Sequence, residues 1–238
     1  MKSEIQSELD SDYTGHLVDL LKAREYTLTS GDVTIRLAKE FGFCYGVERA
    51  VDYAYQARKK FPDRTIYLAG EIIHNPHVNS KLQAMGILFL YPGGVKDEGG
   101  RGKGDEGRGE ARGDHIDFSV VKPEDVVILP AFGVTIRDFE VLREIGCVIV
   151  DTTCGSVLNV WKRVESYARD GFTSLIHGKY YHEETRATAS QAEKYEGGHY
   201  FIVRNIGEAQ LVCDFMEGRL SATALMDRFA HAASPNFD

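Results

Sequence analysis

Residues 126–167 read VVILPAFGVTIRDFEVLREIGCVIVDTTCGSVLNVWKRVESY. Val126–Leu129 is an unbroken apolar run of strand length, and Ile136–Ile145 is a helical run. Val148–Val150 is again a strand, and Val157–Tyr167 is again helical. Strands alternating with helices predict βα units and parallel sheets, since a parallel pair needs a crossover between its strands. The fold class expected from this stretch is α/β, with repeated βα lobes.

The pattern extends both ways. Upstream, Val33–Leu37 alternates like a strand, and Val47–Arg58 places Val47, Ala50, Val51, Ala54 and Tyr55 on one helical face. Thr65–Ala69 reads as a strand, and Pro76–Met85 as a helix opened by proline in its first turn. Downstream, Ser174–Ile176 is a strand, a helix follows His182, and Tyr200–Val203 precedes a helix around Glu208–Phe215. The first 30 residues are charged and polar, with a short helix at Leu17–Arg24 and no apparent site. Gly93–Asp114 stands apart: nine glycines and eleven charged residues among its 22 positions, with no aromatic. Such a stretch cannot bury enough apolar area to offset its ordering entropy, so a flexible insertion is expected. The predicted division is an extension at 1–30, a first lobe at 31–125 carrying the insertion at 93–114, and a second lobe at 126–238.

Composition narrows the function classes. Among 238 residues, 28 Lys and Arg stand against 36 Asp and Glu, a net charge of −8. That balance excludes a chain-wide electrostatic footprint for nucleic acid. No apolar run approaches the roughly 20 residues of a membrane span, and the acidic start MKSEIQSELDSDY reads as neither signal nor transit peptide. The four cysteines form no CxxC pair, so a soluble protein of a reducing compartment is expected.

Ligands of doubly wound sheets bind beyond the carboxyl ends of strands, and four such places carry unusual residues. In Phe41-Gly42-Phe43-Cys44-Tyr45-Gly46, a cysteine sits between glycines before a helix, where thiolate, the metal-binding form, is favoured. Asp151-Thr152-Thr153-Cys154-Gly155 repeats the arrangement, so Cys44 and Cys154 are candidates for one shared metal or cluster. Cys147 and Cys213 lie in apolar contexts and are expected in the core. His74, in Gly70-Glu71-Ile72-Ile73-His74-Asn75-Pro76, precedes a helix and is placed to hold an anion. His177-Gly178-Lys179-Tyr180-Tyr181-His182-Glu183-Glu184-Thr185 is a dense acid/base and anion-binding cluster.

Together GFCYGVERAV, EIIHNP, ILPAFG, DTTC and HGKYYHEET resemble 4-hydroxy-3-methylbut-2-enyl diphosphate reductase, in its plant and cyanobacterial form, over roughly residues 31–205. The resemblance implies a trefoil-like iron–sulfur reductase of isoprenoid biosynthesis. Three α/β lobes surround a [4Fe–4S] cluster held by three cysteines. It implies cluster ligation by Cys44 and Cys154, diphosphate or substrate contacts from His74 and His182, and proton delivery by Glu184. It also implies an allylic diphosphate substrate, a ferredoxin-type electron donor, no nucleic acid or membrane partner, and a plastid or bacterial cytoplasmic location. Three departures stand out. Phe132 replaces the histidine of the bacterial form, so one phosphate contact must come from elsewhere. Gly155 stands where the family has proline. The third lobe, with the third cysteine ligand, is expected to be missing, so the chain as given is expected to be impaired. A non-catalytic diphosphate- or partner-binding paralogue and a metal-binding module are the rival readings.

Overall fold

The computed structural model describes residues 2–92, 94–96, 115–235 and 237. Two helices, α1 (Lys2–Tyr13) and α2 (His16–Ala23), lead into a hairpin of β1 (Thr27–Ser30) and β2 (Val33–Arg36). The strand expected at Val33–Leu37 therefore exists, but it does not open a βα unit. It pairs antiparallel with β1, and all four of its residues are exposed. The pairing of Ser30 with Val33 leaves Gly31 and Asp32 to turn the chain, and Gly31 takes the positive φ (58°) that glycine tolerates.

Helix α3 (Tyr45–Lys60) leads into a five-stranded sheet. Its strands are β3 (Ile66–Ala69), β4 (Ile87–Tyr91), β5 (Gly94–Lys96), β6 (Val126–Leu129) and β7 (Val148–Asp151), in the order β5-β4-β3-β6-β7. The β4–β3, β3–β6 and β6–β7 pairs are parallel, and β5 adds an antiparallel edge. Crossovers run through α4 (Pro76–Ala84) and α5 (Ile136–Ile145). β3 and β6 are buried along their whole length, the condition under which strands read as continuous apolar runs.

Two expectations are corrected here. Gly94–Lys96, part of the expected insertion, is an edge strand, because main-chain pairing with β4 needs no apolar side chain. Residues 93 and 97–114, the rest of that insertion, lie outside the described residues. The sheet also takes β3 and β4 from one side of the expected 125/126 boundary and β6 and β7 from the other, so a division there would cut it.

Helix α6 (Gly155–Arg169) leads to a separate parallel pair, β8 (Thr173–His177) and β9 (His199–Val203), bridged by α7 (Glu183–Ser190). Helices α8 (Ile206–Met216) and α9 (Ala222–Phe229) pack around Phe201. One side-chain bond holds α7 against α5, Ile136 N–H to Ser190 Oγ at 3.2 Å, and another holds it against α6, Trp161 Nε1–H to Thr188 Oγ1 at 3.2 Å. Among the described residues no helix is long and apolar enough to cross a membrane.

Candidate active site at the carboxyl edge of the parallel sheet

Beyond the strands, the loops continue the sheet's order by hydrogen bonds. Ala131 N–H donates to Ile72 O, 3.2 Å, and Cys154 N–H to Ala131 O, 2.9 Å. Thr152 Oγ1 donates to Leu129 O, 2.6 Å. The loops after β3, β6 and β7 thus form one connected edge bearing His74, Phe132 and Cys154. Asp151 Oδ1 accepts from both the amide and the hydroxyl of Thr153, which fixes the turn into α6.

Cys44 and Cys154 occupy equivalent places, each the residue before a helix with extended backbone and no side-chain cap bond. Both line a cleft of about 460 Å³, together with Tyr45, Asn159 and Lys162. Gly46 makes their approach possible: a Cβ there would stand 2.4 Å from Cys154 Sγ. Cys44 is exposed and Cys154 half-buried. These thiols, and the space between two helix N-termini, suit a thiolate-bound iron or iron–sulfur group. The other two cysteines are not in this cleft. Cys147 packs beneath the sheet, its thiol pushed up by burial. Cys213 is exposed on α8, against the expectation of a core position. Its neighbours Val212 and Phe215 pack into the core, and helical rotation turns Cys213 outward.

The histidines also converge. His74 Nε2 lies 3.1 Å from His182 Nε2 across 108 residues of sequence. Asn75 caps α4 by accepting from the amides of His77 and Val78, which sets the loop bearing His74. His182 is itself the cap of α7, its Nδ1 accepting from Glu184 N–H at 3.3 Å. Phe132 stacks on His74, with centroids 4.8 Å apart, and meets His182 edge-on at 5.8 Å. Phe132 thus packs an apolar plate against the pair. His177, by contrast, is drawn to Arg204 O, and His77 to Asp12 O.

The glutamates separate. Glu183 Oε2 lies 3.7 Å from His74 Nε2. Glu184 contributes its amide to the cap while the residue is exposed. Ligand atoms of His74, His182 and Glu183 lie within 4.8 Å of one another, a spacing a cation would accept. The main-chain donor already on His182 Nδ1, however, requires the proton of a neutral ring to sit on Nε2. Sequence reasoning did not single out Glu71, whose Oε2 lies 3.0 Å from His74 Nδ1. Its position three residues before His74 in one loop was the available signal.

Comparison with known proteins shows the family. The family model described as LytB protein matches residues 35–225. The 4-hydroxy-3-methylbut-2-enyl diphosphate reductase of Thermosynechococcus vestitus is 46% identical over 236 residues, covering 99% of this chain and 52% of that protein. The enzyme of the same name from Gloeobacter violaceus is 45% identical over 238 residues, covering 100% and 52%. A solved (E)-4-hydroxy-3-methyl-but-2-enyl diphosphate reductase superposes with a TM-score of 0.53 at 27% identity, covering 72% of this chain and 51% of that one. The E-1-hydroxy-2-methyl-but-2-enyl-4-diphosphate reductase of Plasmodium falciparum shares the fold, with a TM-score of 0.56, 22% identity, and 82% and 56% covered. The chain spans about half the length of the curated relatives it matches.

Proposed function

We propose, since the chain belongs to the LytB protein family, that it supplies the cluster-binding and diphosphate-binding face of a reductive dehydroxylase. The substrate is 4-hydroxy-3-methylbut-2-enyl diphosphate. Two electrons and two protons are taken up, the allylic C–O bond breaks, the hydroxyl leaves as water, and isopentenyl and dimethylallyl diphosphates result. The observation that carries this reading is that the connected sheet edge bearing His74, Phe132 and Cys154 meets Cys44 across one cleft and His182 across a 3.1 Å contact.

Cys44 and Cys154 are the residues that would hold a [4Fe–4S] cluster, with a further thiolate from outside this cleft. When bound, the cluster supplies electrons and, at an open iron, a Lewis acid for the hydroxyl. His74 and His182 take the diphosphate, since imidazole N–H groups donate to phosphate oxygens. Phe132 holds the His74 ring by stacking and keeps water from that face. Glu184, at the motif position, protonates the departing oxygen, because hydroxide is a poor leaving group. A ferredoxin-type protein is the electron donor, and plastid stroma or bacterial cytoplasm is the location. The four unpaired cysteines fit such a reducing setting.

Anaerobic reconstitution with iron and sulfide tests the assignment. Bound iron and visible absorbance are expected in a chimera joining this chain to the remaining length of a cyanobacterial relative, and in its Cys147→Ser and Cys213→Ser variants. Both are lost in Cys44→Ser or Cys154→Ser, since a hydroxyl is a poor iron ligand beside thiolate. Undiminished iron in either of the last two variants refutes the ligand pair.

A further inference from the structure

The hydrogen bonds on the outer sides of the histidine pair fix where its protons lie. Glu184 N–H is a donor only, so His182 Nδ1 is an acceptor. A neutral His182 ring then carries its proton on Nε2. On the far side, the Glu71 carboxylate is an acceptor only, so His74 Nδ1 carries the proton and His74 Nε2 holds a lone pair. The central contact of 3.1 Å is therefore His182 Nε2–H donating to His74 Nε2. The result is a one-way chain: the Glu184 amide to His182, His182 to His74, His74 to Glu71.

Such a pair is uncharged and internally satisfied, which is a poor state for meeting a diphosphate. It becomes a cationic fork if the central bond opens and His74 Nε2 takes one proton from solvent. Both Nε2–H groups then point outward, and the imidazolium of His74 stays bonded to the Glu71 carboxylate. Among the described residues, Glu71 from its own loop, His182 and Glu183 from the start of α7, and the uncharged Phe132 from the loop after β6 face His74. Glu71 alone among them accepts from Nδ1, the nitrogen that faces away from the fork. A carboxylate on the second nitrogen fixes the tautomer and raises the ring's proton affinity.

We infer that Glu71 is a positioning residue: it holds the His74–His182 pair in one tautomer and supports the proton that His74 gains when an anion binds. This rests on the diphosphate reading of the pair.

The test uses the 238-residue chain, inorganic pyrophosphate as the probe, and the Glu71→Gln variant. The glutamine carbonyl can still accept from Nδ1, so the change removes charge and leaves the bond. Pyrophosphate affinity is measured by titration calorimetry from pH 5.5 to 8. The ratio of the two proteins' dissociation constants cancels the probe's own titration. About a tenfold weakening in Glu71→Gln at pH 8 is expected, the effect of one unit lost from the ring's proton affinity. The ratio should fall towards one at pH 5.5, where the ring is protonated in both proteins. A ratio of one throughout, or one independent of pH, overturns the inference. Ring ¹⁵N shifts of the unsubstituted chain provide a second measurement that does not depend on the variant's folding. Protons on His74 Nδ1 and His182 Nε2 support the chain, and a proton on His74 Nε2 at pH 8 overturns it. If the unsubstituted chain fails to bind pyrophosphate, the diphosphate reading falls with the anion half of this inference, and the ring shifts alone decide the tautomer half.

Discussion

Glu183 and Glu184 are one position apart on α7, and consecutive helical residues point about 100° apart, so one carboxylate addresses the histidines and the other does not. Glu183 is the one within 3.7 Å of His74, while Glu184 is exposed beside the pair. This division suits two different tasks. A carboxylate held on the histidines tunes their charge, whereas one left unengaged is available to a departing oxygen. In a chimera joining this chain to the remaining length of a cyanobacterial relative, Glu184→Gln should lower turnover by about 10²-fold or more, the scale for losing a general acid. Glu183→Gln should cost less than about tenfold in turnover and should instead move the pH dependence of KM, since it changes the field at His74. Steady-state reduction with a chemical electron donor reads both. The reverse pattern would assign the acid to Glu183 and shift the reading of HGKYYHEET by one residue.

At the scale of elements, the two cysteine-bearing turns differ in how firmly their helices begin. Gly155 is the first residue of α6, Cys154 before it has the extended backbone (ψ 140°) that proline requires, and a Cβ at Gly155 meets open space. Proline fixes φ near the helical value and gives up only an amide that has no partner within the helix. Gly155→Pro should therefore stabilise the chain by about 0.5–1 kcal/mol, chiefly through the unfolded state. That is a rise of about 1–3 °C in the thermal midpoint at this chain length. A lower midpoint would show that the turn depends on glycine's freedom. These βα units were legible because strand and helix carry different apolar periods, and β6 and α5 lie where those periods place them. Cys154, His74 and His182 were legible because they lie in loops that follow strands, and Cys44 because it stands between glycines directly before a helix. Helix α1 was not, since its buried stripe is only Ile5, Leu9 and Tyr13 in an otherwise polar run. The exposed β2 was read into the βα pattern because alternation gives a strand's period and not its neighbour. Glu71 was overlooked because a carboxylate's role depends on what the fold brings opposite it.

Across the whole molecule, the N-terminal segment is built into the unit that carries the thiols. Ile5 is 1% exposed within the core that includes Ala50, Ala54 and Val78. At the end of α1, Asp12 accepts from Tyr55 Oη at 2.7 Å and from Lys81 Nζ at 2.5 Å, which ties α1 to both α3 and α4. Next to it, the Tyr13 ring lies edge-on to Phe43, with centroids 5.4 Å apart, one residue before Cys44. The seating of α1 thus bears on how Cys44 enters its helix. The Lys81 ammonium and the Tyr55 hydroxyl hold the Asp12 carboxyl below its usual range. A carboxyl depressed in the folded state stabilises the fold above its unfolded pKa, and that contribution is lost as pH falls through the folded value. Asp12→Asn should accordingly cost about 1 kcal/mol at pH 7, on the scale of a partly exposed ion pair with its hydrogen bonds. The thermal midpoint should drop by about 2–4 °C. The gap between variant and parent should close as the medium is acidified below about pH 4, where the parent's carboxyl is also being neutralised. Melting curves of both proteins from pH 7 down to the acid limit of solubility measure this. A gap that persists undiminished into acid would mean that Asp12 acts through shape alone, and that the charge on Lys81 does not hold α1 to the cysteine-bearing unit.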